Sequence, residues 1–171
     1  MNFQDLIESR RSVRKFSGAP VTGDQLQTIL RAGLLAPTGH NYRPVRLKVI
    51  QDKSLFPALS SVRTGGAAFL PGAEAVILVM ADVSQGDTWV EDCSVSAAQM
   101  LLMITELGLG ACWIQCRNRK TAEEVETEAA VRAIVPFPED YRLLCMIALG
   151  VPAAGPEKKV LTEEDLSHIL S

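Results

Sequence analysis

Arg10, Arg11, Arg14 and Lys15 put four cations beside the Ser12 hydroxyl, in a chain whose formal net charge is −3. Two guanidinium forks and a hydroxyl supply donors that match the oxygens of a phosphate. The same residues also suit the C-terminal end of a helix, whose dipole attracts cations, and in isolation that plainer role is the more economical one. A second stretch, Ala36-Pro37-Thr38-Gly39-His40-Asn41-Tyr42-Arg43-Pro44, gathers small and polar residues between two prolines. Such a loop can offer backbone N–H groups, a hydroxyl and an amide to a polar ligand, or it can simply join a helix to a strand. In Gly108-Leu109-Gly110-Ala111-Cys112-Trp113-Ile114-Gln115 the glycines permit close backbone approach and Trp113 offers a ring face for stacking. Read alone, it is a helix stop followed by a core strand. The lysines of Pro156-Glu157-Lys158-Lys159 could complete a phosphate site or belong to a solvated tail.

These residues need a scaffold, and the apolar periodicity supplies one. A first helix is predicted from Asn2 to about Arg10, with Phe3, Leu6 and Ile7 on one face. A second starts at Thr22-Gly23-Asp24-Gln25, where Thr22 and Gln25 can form a capping box, and Pro37 stops it. Strands are expected at Val45 to Ile50, Glu74 to Met80, Ala111 to Cys116 and Arg142 to Leu149. The unbroken aliphatic run of the second implies cover on both faces. A short helix is expected from Leu55 to about Arg63, followed by a flexible turn at Gly65-Gly66. The most apolar helix, Glu91 to Leu107, is hydrophobic nearly all round and must be central to the protein or to an oligomer interface. Thr121-Ala122-Glu123-Glu124 reads as the cap of a further helix ending before Pro136. Strands mixed with helices, without strict alternation, give an α+β layered fold.

The 171 residues are 47% hydrophobic and 22% charged, enough for a buried core and too apolar for general disorder. No linker or repeat divides them, so one domain is expected over residues 1–171. The acidic balance argues against non-specific nucleic-acid binding. No apolar run is long enough to span a bilayer, and Met1 to Asp5 lacks the pattern of a secretory leader, so a cytoplasmic protein is expected. Cys93, Cys112, Cys116 and Cys145 sit in apolar segments and read as buried reduced thiols rather than zinc ligands. His40 and His168 support neither a catalytic triad nor a metal centre.

Together, the order and spacing of these stretches resemble the nitroreductase family of FMN-dependent flavoproteins, over nearly the whole chain. The family's Arg-Arg/His-Ser helix end with a following basic residue and Phe corresponds to Arg10 through Phe16. Its Ala-Pro-Ser/Thr-X-X-Asn-X-Gln-Pro-Trp loop corresponds to Ala36 through Val45. Its central helix, Glu-X-Gly-Leu-Gly turn and Trp-Ile strand correspond to Glu106 through Ile114. A Gly-hydrophobic-Pro ending, here Gly150-Val151-Pro152, precedes a Pro- and Lys-containing tail. Three departures stand out: Arg43-Pro44-Val45 replaces Gln-Pro-Trp, Val160 replaces a tail arginine, and Gln115 and Cys116 stand after Trp113 where many members have smaller or acidic residues.

The resemblance implies a three-layer fold, with a mostly antiparallel central sheet flanked by helices and a C-terminal tail packing on a partner subunit. It also implies that Arg10, Arg11 and Ser12 contact the flavin phosphate and ribityl chain, with Arg14 near the N1/O2 edge. Pro37, Thr38, Gly39 and Asn41 would come from the other subunit of a homodimer. Cys112, Trp113, Ile114 and Gln115 would lie against the flavin, with Lys158, supported by Lys159, at the phosphate. NADH or NADPH would reduce the flavin, which would then reduce a nitroaromatic, quinone or related small-molecule acceptor by a ping-pong scheme. No side-chain acid or nucleophile is then required. A dehalogenase-type or a non-catalytic flavin-binding member of the same fold would carry the same motifs.

Overall fold

The computed structural model describes residues 2–155 and 157–170. The expected Pro156 contribution to the tail motif lies outside the described residues. Helix α1 (Phe3–Ser9) starts where the Asn2 side chain accepts the Asp5 N–H. Helix α2 (Gly23–Leu34) opens with the expected capping box, Thr22 Oγ1 accepting from Gln25 N and the Gln25 side chain accepting from Thr22 N. Strand β1 (Val45–Ile50) and the short helix α3 (Phe56–Ser60) follow. Next come β2 (Ala75–Asp82), the long helix α4 (Trp89–Glu106), β3 (Gly110–Gln115), α5 (Thr127–Ile134), β4 (Tyr141–Gly150) and the short α6 (Glu163–Ser167).

The four strands form one sheet in the order β1-β2-β4-β3, antiparallel throughout. Both faces are covered. Ala75, Ile77 and Val79 share one apolar cluster with Ile29 of α2 and Ala97, Met100 and Ile104 of α4. Val76, Leu78 and Met80 share the other with Phe56 and Leu59 of α3 and Val131 of α5. Double cover explains why β2 and β4 are apolar at consecutive positions, although antiparallel sheets often leave one face to water. Helices α2 and α4 approach closely because Gly33 has no side chain: a Cβ there would lie 2.8 Å from Met100 Cγ.

One expected helix start is wrong. Thr121 does not cap α5, which begins six residues later at Thr127. The Thr121 hydroxyl instead accepts the N–H groups of Glu123 and Val125, while the backbones of Lys120 and Glu126 form an isolated antiparallel β-bridge. A threonine in this position can close a local turn as readily as a helix, and here the buried Thr127 hydroxyl, donating to Val62 O at 2.8 Å, sets where α5 begins.

Candidate functional site

At Arg10 the chain leaves α1 in an extended conformation and runs beside β3 rather than turning away. Ser12 forms a parallel bridge to Ala111, Val13 N–H donates to Ala111 O at 2.9 Å, and Ser17 N–H donates to Val151 O at 2.8 Å. This fit depends on a glycine, since a Cβ at Gly110 would lie 2.7 Å from Val13 Cβ. Gly110 therefore admits the stretch that carries the cations.

That stretch forms one wall of a 490 Å³ cleft, lined by Arg11, Ser12, Arg14, Lys15, Glu157 and Lys158 among others. Lys158 reaches it from the tail and is held by Asp5 Oδ1 at 3.1 Å and Glu8 Oε2 at 3.9 Å. The tail itself is strapped down by Ala153 N–H to Lys15 O and Lys159 N–H to Glu8 O. The Lys159 ammonium points elsewhere, to Asp165 at 3.4 Å. The Arg14 guanidinium lies 5.9 Å from the Phe69 ring centroid. Four cations against one cleft carboxylate, with a hydroxyl between them, are a donor set suited to a phosphate monoester.

Strand β3 runs beside this stretch, joined to it at Ser12 and Val13. Burial pushes the Cys112 thiol up, against the opposing pull of Arg14, the Ser12 hydroxyl and Arg10, so the thiol stays protonated at neutral pH. Ile114 is wholly buried in the core, and the ladder turns its N–H and C=O toward β4. Trp113 is half-buried, its Nε1–H donating to Gln115 Oε1 at 2.8 Å, which fixes both side chains. Because Ala111 O bonds outward to Val13, the alternation of the ladder turns the Trp113 N–H and C=O to the same outer edge of the sheet. That edge presents backbone donors and acceptors to a planar ligand. At its far end the Arg63 guanidinium donates to Gln115 O at 3.3 Å.

The loop after α2 is anchored elsewhere, at the start of α4. Gly39 N–H donates to Asp92 Oδ1 at 2.8 Å, and the Thr88 hydroxyl lies 3.2 Å from Asp92 Oδ2. Asp92 is only 5% exposed. His40, Asn41 and Arg43 all have left-handed backbones (φ 50°, 58° and 54°), unusual for residues with a Cβ and typical of strained functional loops. Pro37, Thr38, Gly39 and Asn41 make no hydrogen bond or ion pair to the Arg10–Lys15 stretch among the described residues, and none of the four lines the cleft. Sequence reasoning missed Asp92, Arg63 and Phe69. Asp92 carried a faint signal, being an acid inside the most apolar helix four residues after a threonine. Arg63 and Phe69 carried none.

The nitroreductase family model matches residues 7–60 and 57–151, so it takes in the cation stretch, the loop and β3 alike. The chain belongs to the nitroreductase family. Among solved structures it resembles an FMN-dependent nitroreductase from Clostridium difficile R20291, with 37% identity, 95% of this chain and 94% of that one covered, and a TM-score of 0.87. A provisionally named nitroreductase from Desulfovibrio desulfuricans, solved in complex with FMN, is 26% identical, with 97% of this chain and 95% of that one covered and a TM-score of 0.78. A provisionally named NADH dehydrogenase/NAD(P)H nitroreductase of Archaeoglobus fulgidus is 32% identical over 151 residues, 86% of this chain and 83% of that protein. The α+β architecture expected from the sequence is thus the nitroreductase fold. No helix among the described residues is long and apolar enough to cross a membrane.

Proposed function

We propose that this nitroreductase-family chain is an FMN-dependent oxidoreductase that passes electrons from NADH or NADPH to nitroaromatic, quinone or related small-molecule acceptors. The observation that carries this reading is the convergence of Arg11, Ser12, Arg14 and Lys158 on one cleft beside the open edge of β3. When bound, FMN would supply the redox chemistry, taking hydride from the nicotinamide and delivering it to the acceptor. Arg10, Arg11, Ser12 and Lys158 hold the phosphate and ribityl chain, with Lys159 close by on the tail. Arg14 offers positive charge to the ring edge, and the Cys112 to Gln115 segment lies against the ring, which meets the outward backbone groups of Trp113. Reductant and acceptor use one site in turn, which gives ping-pong kinetics.

The reading includes a homodimer in which Pro37, Thr38, Gly39 and Asn41 complete the partner's site and the C-terminal tail packs on the partner. Two features support it. A 580 Å³ groove lined by Phe3, Leu6, Ala32, Leu35, Leu102 and Met103 is open to solvent in one chain. The tail carries Val160 at 81% and Leu170 at 92% exposure, apolar surface that a partner chain would cover.

The purified protein should be yellow, bleach under NADH or NADPH without oxygen, and regain its colour on adding a nitrofuran or quinone. A flavin that bleaches but is reoxidised no faster by any such acceptor than by air contradicts the proposal. Light scattering should give twice the chain mass.

A further inference from the structure

Arg43 is an exposed cation of the loop between α2 and β1, and no carboxylate among the described residues forms an ion pair with it. Its neighbour Arg46 is engaged, by Asp82 at 3.6 Å and by the carbonyls of Arg43 and Val45. Arg43 is braced. Its Nε donates to Asn41 Oδ1 at 3.0 Å and its backbone N–H to Thr38 Oγ1 at 3.1 Å. Among the described residues both terminal nitrogens remain without a hydrogen-bond partner, on a guanidinium whose Nε is fixed. The loop below is clamped in turn by Asp92, and its three left-handed residues leave it little freedom to relax. Beside Arg43, the rings of His40 and Tyr42 lie 5.2 Å apart, a surface on which a planar group can rest.

We propose that Arg43 selects for an oxyanion on one of the two small molecules exchanged at the flavin: the 2′-phosphate of NADPH or an acidic group on the acceptor. This rests on the reading that the Pro37–Asn41 stretch borders the flavin. A braced guanidinium pairs with phosphate or carboxylate through two parallel hydrogen bonds and loses less side-chain freedom than a floppy one. A counterpart that lacks this group gains nothing from it. Selection therefore appears in KM for the charged molecule, and kcat changes little because Arg43 does not touch the reacting atoms.

Steady-state kinetics on the FMN-loaded protein test this, crossing NADPH and NADH with 4-nitrobenzoate and 4-nitrobenzyl alcohol, with flavin content read by absorbance. Arg43→Gln should raise KM for the molecule bearing the selected oxyanion by about tenfold and leave the counterpart lacking that group within about twofold. A rise confined to NADPH puts the oxyanion on the reductant; one confined to nitrobenzoate puts it on the acceptor. Arg43→Lys, which keeps the charge without the fork, should fall between. An equal loss in every combination, or no change in any, overturns the proposal. So does flavin loss from the variant with substrate ratios unchanged, which would make Arg43 a cofactor residue. A wild-type protein that takes up no FMN removes the functional reading, and this inference with it.

Discussion

The cation stretch Arg10–Lys15 and the loop Pro37–Arg43 are held in place by different means. The first is extended backbone sewn to the end of the sheet by several main-chain hydrogen bonds, over a glycine that leaves room for Val13. The second is a strained turn held to the rest of the chain chiefly by one buried carboxylate, Asp92. A phosphate-binding stretch gains from being an extension of the rigid sheet, because its donors must stay aimed. A loop that meets exchanging substrates is better served by a separate anchor, which evolution can alter without disturbing the cofactor site.

The strongest way to probe that contrast is at the cations themselves. The double change Arg10→Ala, Arg11→Ala should weaken FMN binding by on the order of 2–4 kcal/mol, leaving the fold and the dimer intact. Gel filtration followed by flavin absorbance reads this, and undiminished flavin content would remove these residues from the site. Asp92→Ala should next cost about 1–3 kcal/mol of stability, since it leaves the Gly39 N–H and the Thr88 hydroxyl without their acceptor. In a chain of this size that is a drop of a few degrees in Tm, about 2–4 °C per kcal/mol. FMN affinity should fall far less than in the double variant. If the two variants lose flavin equally, the regions are not independent. Gly110→Ala should cost about 1–3 kcal/mol by overpacking against Val13, and here stability and FMN binding should fall together. A urea titration alongside a flavin titration checks the pairing.

Much of this architecture was legible because it is written locally. The Thr22–Gln25 box, the unbroken aliphatic run of β2 and the apolar girth of α4 each depend on neighbours a few residues away. Thr121 misled because its hydroxyl had two local uses, and only the distant contact from Thr127 to Val62 decided where α5 starts. The site divides in the same way. The types of residues at Arg10–Ser12 and Lys158 were visible, but alone they fit a helix end and a solvated tail. That they meet depends on Ser12 lying against Ala111 and on the tail being strapped back to Lys15 and Glu8. Asp92 reaches Gly39 across 53 residues, and Arg63 reaches Gln115 across 52. No periodicity or spacing encodes such pairs.

The central claim is that the cleft of Arg11, Ser12, Arg14 and Lys158, with Arg10 beside it in sequence, recognises a flavin by its phosphate. Its most direct test is the dissociation constant of FMN against that of riboflavin, measured by fluorescence quenching on flavin-stripped protein. Riboflavin has the same ring and ribityl chain and lacks only the phosphate. Loss of several charge-assisted hydrogen bonds predicts binding weaker than that of FMN by roughly 100-fold or more. Equal affinities for the two would contradict the assignment.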